Sequence, residues 1–146
     1  MARICPLLLR MLVVLLAFLP AGCKDEIPEI IPSTRVRIVI DLALPEFSGL
    51  RIPGSVYLAK GEGYRGNGVY IVREAIDENQ FSAYDATCPR HIKTPTATVL
   101  TGTQATCPHC HTEYELLNYG QSADGNHRLQ PYRAEAQGGV VHVHNP

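Results

Sequence analysis

Over Arg35 to Leu42 the chain alternates with a period of two: Val36, Ile38, Ile40 and Leu42 fall on one side, Arg35, Arg37, Val39 and Asp41 on the other. That period turns one face of an extended segment to a core and the other to water, so a β-strand is predicted there. Pro53-Gly54 marks a turn ahead of a strand over Ser55 to Leu58, and Asn67-Gly68 a turn ahead of one over Val69 to Arg73. Asp77-Glu78-Asn79 turns the chain into a strand from Phe81 to Ala86, which runs directly into Cys88. Val99-Leu100 followed by Thr101-Gly102 reads as part of a small hairpin, and Glu113 to Leu117 as a strand. Arg128 to Glu135 and Val140 to His144 close the chain as two strands around Gly138-Gly139. No window of about twelve residues beyond the N-terminal leader repeats its apolar positions every 3.6 residues, so little helix is expected. The predicted fold class is all-β and antiparallel.

The N-terminus follows a different pattern. Met11 to Leu19 is an unbroken apolar run, preceded by Arg3 and Arg10 without an acid and ended by Pro20-Ala21-Gly22-Cys23. It is shorter than the roughly 20 apolar residues a membrane-spanning helix needs, and Arg10 interrupts any longer count from Ile4. Residues 1–22 are therefore read as a cleaved signal peptide. Ala21-Gly22-Cys23 resembles a bacterial lipobox, which implies lipidation of Cys23 and attachment to the outer membrane, facing the periplasm or the cell surface. An ordinary secretory leader cut after Gly22 is the alternative. Residues 23–34, with Lys24-Asp25-Glu26, Pro28 and Pro32, show no periodicity and read as a tether. The folded domain is expected to occupy residues 35–146.

Charge and composition narrow the function classes. The 146-residue chain has a formal charge of −1, and losing Arg3 and Arg10 with the leader makes it −3. No basic stripe remains, so nucleic acid is not an expected partner. About 110 residues suffice for one compact domain. No Ser-His-acid, paired-carboxylate or phosphate-loop arrangement stands out, which gives hydrolase or transferase chemistry no support.

The candidate chemistry lies between Cys88 and Tyr114. Of the five cysteines, Cys5 leaves with the leader and Cys23 is the lipidation candidate, so the domain keeps Cys88, Cys107 and Cys110. An odd number in an exported domain is not a closed disulfide framework. His91 adds a fourth soft donor, giving C-x2-H in one cluster and C-x2-C in the other, spacings suited to a metal site. Cys107-Pro108-His109-Cys110-His111 also reads as C-x-x-C-H, the attachment motif of c-type haem, with His111 as the cofactor-binding residue. No Met remains after the leader to serve as its distal ligand, a place His142 or His144 would have to fill.

Phe81-Ser82-Ala83-Tyr84-Asp85-Ala86-Thr87-Cys88-Pro89, Ala105-Thr106-Cys107-Pro108-His109-Cys110, Tyr114 and Leu129-Gln130-Pro131-Tyr132 together resemble the ligand loops and closing strands of a Rieske-type domain. The resemblance implies a small antiparallel domain of stacked sheets and a 2Fe-2S cluster held by two loops of the forms C-x-H and C-x2-H. Cys88 and Cys107 match the family's cysteines. Arg90 stands at the place of the first histidine, with His91 one residue late. Cys110 stands at the second, and His111 follows where glycine is usual. Four readings stay open: a three-Cys, one-His iron-sulfur centre at Cys88, His91, Cys107 and Cys110, a zinc ion on the same residues, a metal-free module stapled by a Cys88–Cys107 disulfide, and haem. The corresponding functions are electron transfer to an unknown redox partner, or a non-catalytic binding or structural role in the cell envelope.

Overall fold

A computed structural model of the protein describes residues 31–32, 34–77 and 80–145. The leader, Cys23, most of the tether and the predicted turn at Glu78-Asn79 lie outside the described residues. The strands are β1 (Arg37–Asp41), β2 (Val56–Ala59), β3 (Val69–Arg73), β4 (Phe81–Asp85), β5 (Val99–Thr101), β6 (Gln104–Thr106), β7 (Glu113–Glu115), β8 (Gln121–Ser122), β9 (Pro131–Gln137) and β10 (Val140–His144). They form a six-stranded sheet in the order β1-β10-β9-β4-β3-β2 and a four-stranded sheet in the order β5-β6-β7-β8. Every pairing is antiparallel. The fold is all-β, as the periodicity predicts, and the helical content of the described residues is two short 3-10 segments, Pro45–Arg51 and Tyr64–Gly66.

Two strands do not alternate, and their position explains why. β3 sends Val69 and Ile71 into one apolar cluster with Val36, Ile40, Leu50 and Val141, and sends Tyr70 and Val72 into a second with Cys88, Cys107, Tyr114 and Leu129. β4 divides in the same way, with Ala83 on one side and Tyr84 on the other. A strand covered on both faces reads as a continuous apolar run. The β3–β4 pair is thus the wall between two cores, and the cysteines sit in the second. Each large apolar side chain enclosed there stabilises the fold by about 1.5–3 kcal/mol relative to exposure.

Several boundaries differ from the predicted ones. The last-but-one strand begins at Pro131 rather than Arg128, because Arg128 makes only an isolated bridge to Gln121 while Leu129 is drawn into the second core. β7 stops at Glu115, whose carbonyl oxygen accepts from both Asn118 N (3.1 Å) and Gly120 N (3.0 Å) as the chain turns. β5 and β6 form the hairpin predicted around Thr101-Gly102, whereas β8 and the Pro45–Arg51 segment were not predicted. The last carries Leu50 into the first core and sets Phe47 edge-on to Tyr57 at 5.2 Å between ring centroids. The two ends of the folded domain meet at one side chain: Val36 N donates to Asn145 Oδ1, and Asn145 Nδ2 donates to Thr34 O, both at 2.7 Å.

Candidate metal centre

The first cysteine loop is fixed where it leaves β4. Asp85 is fully buried, and its carboxylate accepts from Tyr64 N at 2.6 Å, Thr87 N at 2.8 Å and Tyr132 Oη at 2.7 Å. These bonds offset the cost of burying the carboxylate and hold the chain three residues before Cys88. The loop then folds back on itself, with Thr98 N donating to Ala86 O (2.7 Å), Cys88 N to Thr96 O (2.9 Å) and His91 N to Cys88 O (3.1 Å). Tyr70 Oη lies 2.9 Å from both Thr98 O and Thr98 Oγ1, fastening the loop's return to β3.

The second loop is a tight knuckle between β6 and β7. Cys107 N donates to Thr112 O and His111 N to Cys107 O, each at 2.9 Å. His111 has φ 56°, in the left-handed region that glycine enters most easily. Gly at that position would suit the backbone better than His does. Arg90 Nη1 reaches across to Thr112 Oγ1 at 2.9 Å, and the rings of His91 and His109 stack tilted with centroids 4.3 Å apart, so the loops touch on two sides.

Between them converge Cys88, His91, Cys107 and Cys110, whose donor atoms all lie within 4.8 Å of one another. Cys88 and Cys107 are wholly buried, Cys110 is half-buried, and all three are free thiols. The Cys88–Cys107 disulfide expected under the metal-free reading is not formed. Cys88 Sγ lies 3.8 Å from Cys110 Sγ and 3.3 Å from Tyr114 Oη, and Cys110 Sγ lies 3.2 Å from Thr112 Oγ1. His91 Nε2 is buried without a hydrogen-bond partner. An imidazole nitrogen enclosed beside three thiols makes up a donor set that could hold a cation. His111 is exposed and stands outside this group, and His142 and His144 lie on the outward face of β10.

The thiols differ in acidity. Burial pushes Cys88 up to about 12, against hydrogen bonds from Tyr114 and the Arg90 backbone. Burial also opposes ionisation of Cys110, but hydrogen bonds from the Thr112 hydroxyl and backbone bring it down to about 6. Tyr114 is pushed up by burial and by the neighbouring Cys88. A cation entering this pocket would displace the proton that burial keeps on Cys88. Asp85 and Thr112 escaped the sequence reading. Asp85 had one signal, a charge inside an apolar strand, and Thr112 had only its place directly after the knuckle.

No family model matches the sequence, and comparison with curated proteins returned no match. Among solved structures, the chain resembles a quaternary ammonium Rieske monooxygenase in complex with an inhibitor, with a TM-score of 0.52 and 16% identity over 76% of this chain and 31% of that one. The apo form of a quaternary ammonium Rieske monooxygenase gives 0.51 and 16% over 79% of this chain and 34% of that one. The ferredoxin of carbazole 1,9a-dioxygenase from Nocardioides aromaticivorans IC177 gives 0.44 and 17%, over 78% of this chain and all of that one. The chain spans about a third of the monooxygenase's length.

Proposed function

We propose that this chain, which has the Rieske fold, is a metal-binding module of the bacterial cell envelope, with Cys88, His91, Cys107 and Cys110 as its ligands and a lipid on Cys23 as its anchor. The observation that carries the metal reading is the convergence of three thiols and one imidazole, from two loops distant in sequence, within 4.8 Å. Two of those thiols are completely buried beside a buried imidazole nitrogen that has no partner, and coordination would give all of them one. The fold supports electron transfer through an iron-sulfur centre to a redox partner, and the donor set equally supports a structural ion in a recognition module. Haem is the weakest fit, because Cys107 is fully buried and faces the other thiols, out of reach of a haem edge.

Two measurements on the full-length chain test the proposal. Purified from membranes in detergent without oxygen, it is expected to carry bound metal that Cys107→Ala abolishes. Metal content unchanged in that variant would remove these residues as ligands. Cys23→Ser should move the protein from the membrane to the soluble exported fraction, whereas continued membrane attachment after peripheral material is stripped would defeat the lipid anchor.

A further inference from the structure

We infer that the centre holds one tetrahedral metal ion, zinc by its donor chemistry, and not the two-iron cluster that the fold brings to mind. This rests on the proposal that these four residues bind metal, and it narrows what they bind. In a 2Fe-2S cluster the protein ligands are divided between two irons joined by bridging sulfides, and donors on different irons stand about 5 Å or more apart. However four donors are split into two pairs, four of the six donor-to-donor distances must cross the cluster. Here all of them are 4.8 Å or less. The Cys88–Cys110 pair is the sharpest case. Cys110 occupies the place of a ligand to the second iron, yet its sulfur lies 3.8 Å from that of Cys88, a residue matching a ligand to the first. A single tetrahedral ion with metal–sulfur bonds of about 2.3 Å sets its sulfurs about 3.8 Å apart.

Tyr114 Oη at 3.3 Å from Cys88 Sγ and Thr112 Oγ1 at 3.2 Å from Cys110 Sγ hydrogen-bond the sulfurs, an outer shell that suits either kind of centre, so the donor spacing decides between them. His91 completes the set, one residue later in its loop than the C-x-H form would place it. Three thiolates and one imidazole are a common donor set for structural zinc, and zinc has no redox chemistry of its own. The ion would tie the two loops together, in the position where the fold's relatives carry a redox centre, and the module would act by presenting a surface and not by passing electrons.

The test is stoichiometry followed by metal exchange on the full-length chain in detergent. One zinc per chain with no acid-labile sulfide is expected. Replacing the zinc with Co2+ should give the intense visible bands of a tetrahedral site together with thiolate-to-cobalt charge transfer. In Cys110→Ser that charge-transfer intensity should fall by about a third, one thiolate of three, while in His91→Ala it should persist as the visible bands shift. Two irons with two labile sulfides per chain would overturn the single-ion inference and leave the metal reading standing. A chain that binds neither native metal nor cobalt would remove both. If Cys110→Ser does not accumulate, the stoichiometry and the cobalt spectrum of the unaltered chain still decide.

Discussion

Single residues carry two separable consequences. His111 closes the knuckle with φ 56° and its side chain in solvent, so the ring adds nothing that compensates the backbone conformation. His111→Gly should therefore stabilise the domain by about 0.5–1 kcal/mol, read as a higher urea midpoint with unchanged slope, and leave metal content intact. The buried tyrosines set an alkaline limit. Burial raises Tyr70 against its bond to Thr98, burial raises Tyr84, and burial followed by the Asp85 carboxylate raises Tyr132. In the unfolded chain each phenol titrates near 10, while in the folded chain it stays protonated above that. Their contribution is thus fully present below about pH 10 and declines as pH rises beyond it, by up to about 1.4 kcal/mol per pH unit for each tyrosine. Urea midpoints should be flat in this respect to pH 10 and drop above it, with the phenolate absorbance of these buried rings, beyond that of exposed tyrosines such as Tyr119, appearing together with unfolding. Phenolate absorbance from all seven tyrosines in the still-folded protein at pH 10 would contradict it.

At the level of elements, the turn between β7 and β8 brings backbone and ring into close contact. Gly120 has φ +65°, and a Cβ there would meet the Tyr84 ring at 3.0 Å. Gly120→Ala combines left-handed backbone with a clash against a buried wall residue, so a loss of about 2 kcal/mol is expected in chemical denaturation. That contact was not legible in the sequence, where Gly120 reads only as a loop glycine. The longer strands were legible. Val140–His144 and Val69–Arg73 have the predicted limits, and β1 follows its alternating pattern. Three-residue β6 was legible only through the turn at Thr101-Gly102, and two-residue β8 not at all, since one buried residue each, Ala105 and Ser122, is too little for any period to show. In the loops, spacing brought the residue types into view but left the distance between the two loops open. That distance depends on Asp85, Tyr70 and the knuckle bonds, which act across the fold.

On the scale of the whole molecule, the two cysteine loops join the sheets to each other, because one leaves β4 of the larger sheet and the other links β6 to β7 of the smaller. A metal bridging them would bind only the folded arrangement and so add to its stability. Removing it with a strong chelator under reducing conditions should lower the thermal midpoint by at least about 10 °C, recovered on adding back the native metal. A chain whose melting is indifferent to chelation would have a centre that contributes nothing to the fold. The Rieske fold is then a scaffold whose site chemistry is set by four side chains and not by topology.

The Asn145 clasp also decides how the domain would bear a mechanical load. Any pull applied from the N-terminal side would enter at Thr34, beside the hydrogen bonds that Asn145 makes to Thr34 and Val36, and pass into β1. Among the described residues β1 is the outermost strand of its sheet and pairs only with β10, beginning with Arg37 opposite His144. Tension would first open the clasp and then peel that strand one residue pair at a time. β4, which positions Cys88, lies three strands further in, so the edge would yield like a fuse before strain reached the thiols.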